Sequence, residues 1–429
     1  MINKLMGIKT MINYDYLYDK KHYDKFTEVN HFSERELHWR VYPNATILPF
    51  AKGPTVRMGG LVDESGNYVA GSSLHIGMGE TYKYSERRRA DSDESVVLLG
   101  LWPNIWGHWL TDNIRRLWVL KNDEFMSKYG HLKFVYIQYS KQEIGKNASE
   151  ILSILGIQKL RLEKITDIVR YKQVILPDEC FFNSPSNNRY FTKEYVGLID
   201  TIRDHVLRNY KDTGIRKVYY TYRGYSDIRA MGEYRLEGFF RNMGYEIISP
   251  EKYTLQEQFN ILFSCNEFAA TIGSAAHNII FMNEGTKVYL IPRTDNSTEY
   301  QFALDQVRNL DITYIDSTLS LYLHPEHPWG GPFYFIISDN LLKCFGKKMR
   351  KRNNNRGFAI YRHLGYWLNG CQKPGVYYRK EYPKYLDMPA YKVENYSVIY
   401  KILMRIEVQR AVRKLLLKCM SLAAKLRPE

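Results

Sequence analysis

Between Arg216 and Pro292, strand-length apolar runs alternate with amphipathic segments, and this alternation limits the possible folds more than any other feature of the chain. RKVYYTYR reads as a strand running into a loop, and GEYRLEGFFRNM as a helix ended by Gly244. YEIISP reads as a strand. TLQEQFNILFSC reads as a helix in which Thr254 is the N-cap and Glu257 its capping-box partner. EFAATIG is a strand, GSAAHNIIFMNEG a turn with a short helix, and TKVYLIP a further strand. A β-α-β-α-β-α-β order with short connections predicts a doubly wound sheet, which takes its ligand outside the carboxyl ends of its strands.

A similar but looser alternation precedes it. TVRMGGLVDESGNYVAGSS reads as two strands around an Asp63–Asn67 turn, and SVVLLGL as a buried strand ended near Pro103. GHWLTDNIRRLWVLKN has helical spacing. KFVYIQY, ASEILSILGI and RYKQVILP then read as strand, helix and strand, predicting a second, mostly parallel α/β layer. After the polar loop NSPSNNRY, residues 193–210 read as a helix. The expected organisation is an N-terminal α/β domain over 1–192, a second Rossmann-like domain over 193–340 and a basic region over 341–429, with a cleft between the first two.

Charge separates the third region from the rest. The chain of 429 residues carries 61 Lys and Arg against 46 Asp and Glu, a net +15. Residues 341–429 hold 21 basic and 5 acidic residues, a net +16, so residues 1–340 are near neutral. That excludes a uniformly basic nucleic-acid binder. Residues 396–427 place Tyr396, Ile399, Leu403 and Ile406 on one stripe, which Val408, Val412, Leu415, Cys419 and Leu422 continue with a phase slip, flanked by Lys and Arg. Such an amphipathic basic helix suits an anionic membrane surface; packing on the body or against another copy is the alternative. Five cysteines without CxxC spacing point to neither a disulfide framework nor a cysteine zinc site. The first twenty residues lack a continuous apolar core, and no 18-residue apolar stretch occurs. The expectation is a cytoplasmic protein, peripherally associated with the inner face of the cell membrane.

Three groups of residues could carry chemistry. Gly273-Ser274-Ala275-Ala276-His277-Asn278 comes directly after a strand, and small residues there let a backbone approach a phosphate; tight strand–helix packing is the alternative. His108 and Asp112, four residues apart, can place imidazole and carboxylate together as a proton acceptor, unless Asp112 pairs with Arg115 or Arg116. Arg223, at the end of its strand, can fork onto phosphate oxygens or pair with Glu233. Asp91-Ser92-Asp93 reads as a solvated charged stretch, and His324, Glu326 and His327 as a proline-bound loop rather than a metal site.

Taken in order, these segments resemble glycosyltransferase family 61, whose bacterial members resemble capsule and surface-polysaccharide transferases. LVDESGNYVAGSS is similar to the family's early hairpin, and VVLLGLWPNIWGHWLTDNIRRL to its His-Trp-Leu and Asp block. RKVYYTYRGYSDIRAMGEYRLEGFFRNMGYEII resembles its Arg and Glu block, and LQEQFNILFSCNEFAATIGSAAHNIIFMNEGTKVYLI its Gly-Ala-rich donor block. The resemblance covers about residues 55–293. Ile272, Tyr222 and Gly232 stand where the family often has His, Ser and Asn.

The resemblance implies a GT-B architecture, two Rossmann-like domains facing a cleft, and an inverting transferase that moves a sugar from a nucleotide sugar to a glycan or lipid-linked acceptor without a bound metal or other cofactor. It implies that His108 and Asp112 form the base pair, with either as proton acceptor. Arg223, Glu233 and the residues Gly273, Ser274, Ala275, His277 and Asn278 are implied for the donor, Glu233 on a sugar or ribose hydroxyl. A pyruvyl-transferase-like enzyme on the same fold and a non-catalytic binder of anionic polymer are the other two readings.

Overall fold

The computed structural model describes residues 10–348, apart from residues 19, 21, 22, 25 and 27 and the segments 53–56, 74–78, 140–142, 158–161, 185–187, 226–229, 295–298 and 319–332. The 396–427 segment, and His324, Glu326 and His327, lie outside the described residues. Among the described residues, no helix is long and apolar enough to cross a membrane.

The alternating region forms a six-stranded parallel sheet ordered Met11–Tyr16, Asp311–Ile315, Lys287–Ile291, Glu267–Thr271, Lys217–Tyr220, Glu246–Ile248. Counted from Lys217, the strand order is 2-1-3-4-5, a doubly wound arrangement whose order reverses between Lys217–Tyr220 and Glu267–Thr271. The helices Glu233–Asn242 and Leu255–Ser264 are the crossovers. The second starts with the expected reciprocal cap: Thr254 Oγ1 accepts from the Glu257 amide, and the Glu257 carboxylate accepts from the Thr254 amide. The sixth strand was not expected. Met11–Tyr16 leaves the N-terminal part of the chain and pairs with Asp311–Ile315, so the 1–192 boundary does not enclose one sheet.

The other sheet has seven strands: Gly79–Glu80, Arg57–Val62, Trp39–Lys52, Val169–Pro177, Ala90–Trp102, Lys133–Gln138 and Leu162–Ile165. Four of its six pairings are parallel. The two antiparallel ones belong to Trp39–Lys52, a 14-residue strand that the sequence hides behind Pro43, Asn44 and Pro49. Where two strands were expected around Asp63–Asn67, the turn forms, and beyond it the chain pairs back through a single bridge, Tyr68 with Val62, the Val69 amide donating to Leu61 O. On either side of the expected polar loop, Phe181–Asn183 pairs antiparallel with Arg189–Phe191.

The two sheets share a core rather than owning one each. Side chains alternate across each strand, so Val97 and Leu99 enter the same buried cluster as Val218, Tyr220, Phe268 and Ala270. Val96 and Leu98 pack with Ala45 and Ile47 on the far face of one sheet, and Tyr219 and Ala269 with Leu236 and Phe240 on the far face of the other. The helix Lys193–Leu207 lies in the shared layer through Tyr195, Ile199 and Ile202.

One buried acid sits behind that layer. Asp305 is fully buried and accepts from Gln301 Nε2 (2.9 Å) and Tyr314 Oη (2.5 Å). Burial pushes its carboxyl up to about 7. The folded chain therefore holds this proton more tightly than the unfolded one, and stability falls as pH rises from about 4 to about 7. Asp305→Asn should remove that loss, raising stability at pH 8 by on the order of 3–4 kcal/mol and changing little at pH 4. The buried Gln301 Oε1, which has no hydrogen-bond partner, is available to the new amide. Denaturant titrations of both proteins at the two pH values check this; an equal or lower stability of the variant at pH 8 contradicts it.

Candidate active site

The segment after Ala90–Trp102 does not form the continuous helix its spacing suggests. Trp106–Leu110 is one helical turn, residues 111–116 are turns, and Leu117–Lys121 is a 3₁₀ helix. Asp112, Asn113, Arg115 and Arg116 are all buried, and a regular helix would point these polar groups in several directions at once. Tertiary hydrogen bonds decide instead. Arg115 donates to Ser73 O (2.6 Å) and lies 3.3 Å from Glu179, while Arg116 donates to Gly71 O, Pro177 O and Glu179. Gly100, at φ +97 in a bulged strand, leaves room for both guanidiniums: a Cβ there would lie 2.9 Å from Arg116 Nη1.

His108 and Asp112 meet nonetheless. His108 Nδ1 hydrogen-bonds Asp112 Oδ2. The imidazole is 22% exposed, whereas Asp112 is fully buried. Asp112 lies 3.6 Å from Arg115 Nη1 and accepts from Tyr300 Oη at 3.0–3.2 Å. Tyr300 comes from the helix Glu299–Asp305, in the six-stranded sheet's fourth crossover, and was not anticipated. Its ring stands edge-on to His108, lies near-parallel to His277 and carries the Arg189 guanidinium 4.1 Å above its face. Burial and the Asp112 carboxylate raise its phenol well above the usual range, so it stays a donor. Both alternatives for Asp112 hold together: it touches His108 and Arg115.

The Gly273 turn lies directly opposite. Trp106 Nε1 donates to Asn278 Oδ1 (3.2 Å), and a Cβ on Gly107 would come within 2.9 Å of both His277 Nδ1 and Ser274 Oγ. Gly273, Ser274 and Ala275 are partly exposed. His277 and Asn278 are not: Asn278 is 1% exposed and its amide nitrogen donates to Ala275 O, so it ties the turn together rather than facing a ligand. Burial, and then His108 beside it, push His277 down to about 4, leaving it neutral at pH 7. The next element is a six-residue 3₁₀ helix, Ala276–Phe281, with the Ala276 amide bonded to Gly273 O. The expected helix-dipole contribution is correspondingly small.

Arg223 and Glu233 do not pair. Glu233 opens its helix pointing inward, fully buried, and accepts from Tyr219 Oη and the Tyr222 amide, both at 3.0 Å. Burial pushes it up to about 7. It holds the strand end that carries Arg223. One helical turn later, Glu237 takes the Arg223 guanidinium at 3.0 Å. Asp91, on the exposed start of its strand, pairs with Arg89 and Arg170.

The site is thus a His–carboxylate pair beyond the carboxyl end of one sheet, set against a glycine turn at the carboxyl end of another, the placement expected of a ligand-binding α/β protein. Comparison with protein families is more particular: residues 106–289 match the family described as Glycosyltransferase 61. The match runs from the His108 helix through the Gly273 turn, so this segment is similar to that family. No curated protein matches it.

Proposed function

We propose that the chain is an inverting glycosyltransferase acting on a nucleotide sugar, with His108 as the base. The arrangement that carries this reading is His108, its Nδ1 held by a buried carboxylate, standing across Gly107 from the Gly273 turn. The acceptor hydroxyl oxygen attacks the anomeric carbon. The bond from that carbon to the diphosphate oxygen breaks, its electron pair leaves with the diphosphate, and the hydroxyl proton passes to His108 Nε2. Asp112 fixes the tautomer and stabilises the imidazolium, and Tyr300 and Arg115 hold Asp112 in place. The residues then play unequal parts: His108 accepts the proton and Asp112 positions it.

In this reading the two α/β halves act as in a GT-B enzyme, the six-stranded sheet taking the donor and the seven-stranded side the acceptor. The acceptor is a growing or lipid-linked surface polysaccharide, and the basic 396–427 segment holds the enzyme on the cytoplasmic face of an anionic membrane. Purified full-length protein should turn over at least one member of a panel of UDP-, GDP- and CMP-sugars with lipid or oligosaccharide acceptors, inverting the anomeric configuration. A retained configuration refutes the base assignment. Turnover of phosphoenolpyruvate without nucleotide-sugar turnover would replace the reading by a pyruvyl transferase.

A further inference from the structure

The resemblance assigns the phosphate-binding cation to Arg223, but that guanidinium already has a carboxylate: Glu237 lies 3.0 Å away, and Glu237 is itself fixed by Thr221 Oγ1 at 2.7 Å. A second arginine on the same sheet edge has no such carboxylate among the described residues. Arg293 stands two residues past the end of Lys287–Ile291, beside the Gly273 turn and outside the 106–289 family match. Its Nε and Nη2 lie 3.3 Å from Thr271 Oγ1, and its Cζ lies 4.2 Å above the Tyr222 ring and 5.4 Å from that of Phe333. Between hydroxyl and ring the guanidinium plane has little freedom. It also lies flat against Gly273, where a Cβ would fall 2.6–2.8 Å from Nη1, Cζ and Nη2. Glycine at this position lets the cation reach the turn.

The charge on Arg293 is poorly balanced. Among the described residues, none of its ion pairs reaches a carboxylate. The acid whose field it feels is Glu233, which is buried, is engaged through Oε1 by Tyr219 and Tyr222, and is held partly protonated near neutral pH by that burial. Burial also lowers the Arg293 guanidinium below its ordinary range. A partly desolvated cation with no full counter-ion is stabilised by an incoming anion. Its guanidinium, held between Thr271 at the end of one strand and Tyr222 just past the end of Lys217–Tyr220, reaches the point where the strand order reverses, where a doubly wound sheet takes its ligand.

We propose that Arg293, rather than Arg223, is the principal cation for the donor's diphosphate, its planar fork taking two phosphate oxygens beside Gly273. This rests on the nucleotide-sugar reading above. As the sugar leaves, negative charge grows on the diphosphate, and a pre-oriented guanidinium stabilises it without reorganising.

Titration calorimetry on the full chain with UDP, GDP, CMP, UMP, uridine and inorganic pyrophosphate tests the assignment. Arg293→Gln should weaken the best-bound nucleoside diphosphate and pyrophosphate by about 10–100-fold while changing nucleoside binding little. Arg223→Gln should cost less than Arg293→Gln. Arg293→Lys, which keeps the charge but loses the fork and the stacking, should fall between wild type and Arg293→Gln and serves if the glutamine variant does not fold. Diphosphate binding unchanged in Arg293→Lys and Arg293→Gln, or lost more in Arg223→Gln, overturns the assignment to Arg293 and leaves the glycosyltransferase reading standing. A wild-type protein that binds none of the diphosphates overturns both.

Discussion

Replacing His108 with alanine should lower kcat by about 10²–10⁴-fold, the usual worth of a positioned general base, with little change in donor affinity. Asp112→Asn should fall in the same range, since a neutral amide cannot stabilise the imidazolium as the carboxylate does and can donate to Nδ1, favouring the wrong tautomer. The two residues work as one unit, so the double variant should be barely slower than the worse single one. Steady-state rates with a saturating donor, alongside calorimetric donor binding, measure all three. Additive losses would mean that the contact between His108 Nδ1 and Asp112 is not part of the chemistry. Full activity in Asp112→Asn would remove the carboxylate from the mechanism.

Gly107→Ala should also cost about 10²-fold in kcat, through a displacement rather than a lost group. A Cβ at Gly107 would sit 2.9 Å from Ser274 Oγ and from His277 Nδ1. The serine hydroxyl can rotate away. The His277 ring cannot do so readily, because it is buried beside Tyr300. The turn Trp106–Leu110 must then back away from the Gly273 turn and take His108 with it, and a displacement near 1 Å is enough for a loss of this size. Alanine favours helix over glycine by about 1 kcal/mol, so a local loss of helix does not explain a slower enzyme. The indole of Trp106, hydrogen-bonded to Asn278, reports the separation through its fluorescence. Unchanged kcat in Gly107→Ala would show that the two turns are not held at a catalytic distance by this contact.

How far the site was readable from sequence depends on how local each interaction is. The Thr254–Glu257 cap involves four consecutive residues and forms as read. The alternation over 216–292 reports burial on a sheet and survives folding unchanged. Trp39–Lys52 escaped because its prolines and Asn44 disguise a strand whose ladder is irregular. The turns at 111–116 escaped because two arginines are drawn to Glu179 and to the carbonyls of Gly71 and Ser73, all remote in sequence. Glu233 and Glu237 differ by one helical turn, and only the helix's orientation on its sheet shows that Glu237 meets Arg223. Tyr300 is one tyrosine among 36, and Arg293 one arginine after a strand; neither carries a motif.

Periodicity and turn chemistry, both short-range, settled on their own that this is an α/β chain with a glycine turn closing a parallel strand and a His–Asp pair following another. Burial is a long-range property, and it alone assigned the parts. It sank Asp112 and left His108 partly exposed, turned Glu233 inward, matched Arg223 with Glu237 and, among the described residues, left Arg293 without a carboxylate. The cost of a charge in a low-dielectric interior depends on which groups the fold brings within a few ångströms, and residues from 71 to 300 meet around Asp112 only after the two sheets close on their shared core.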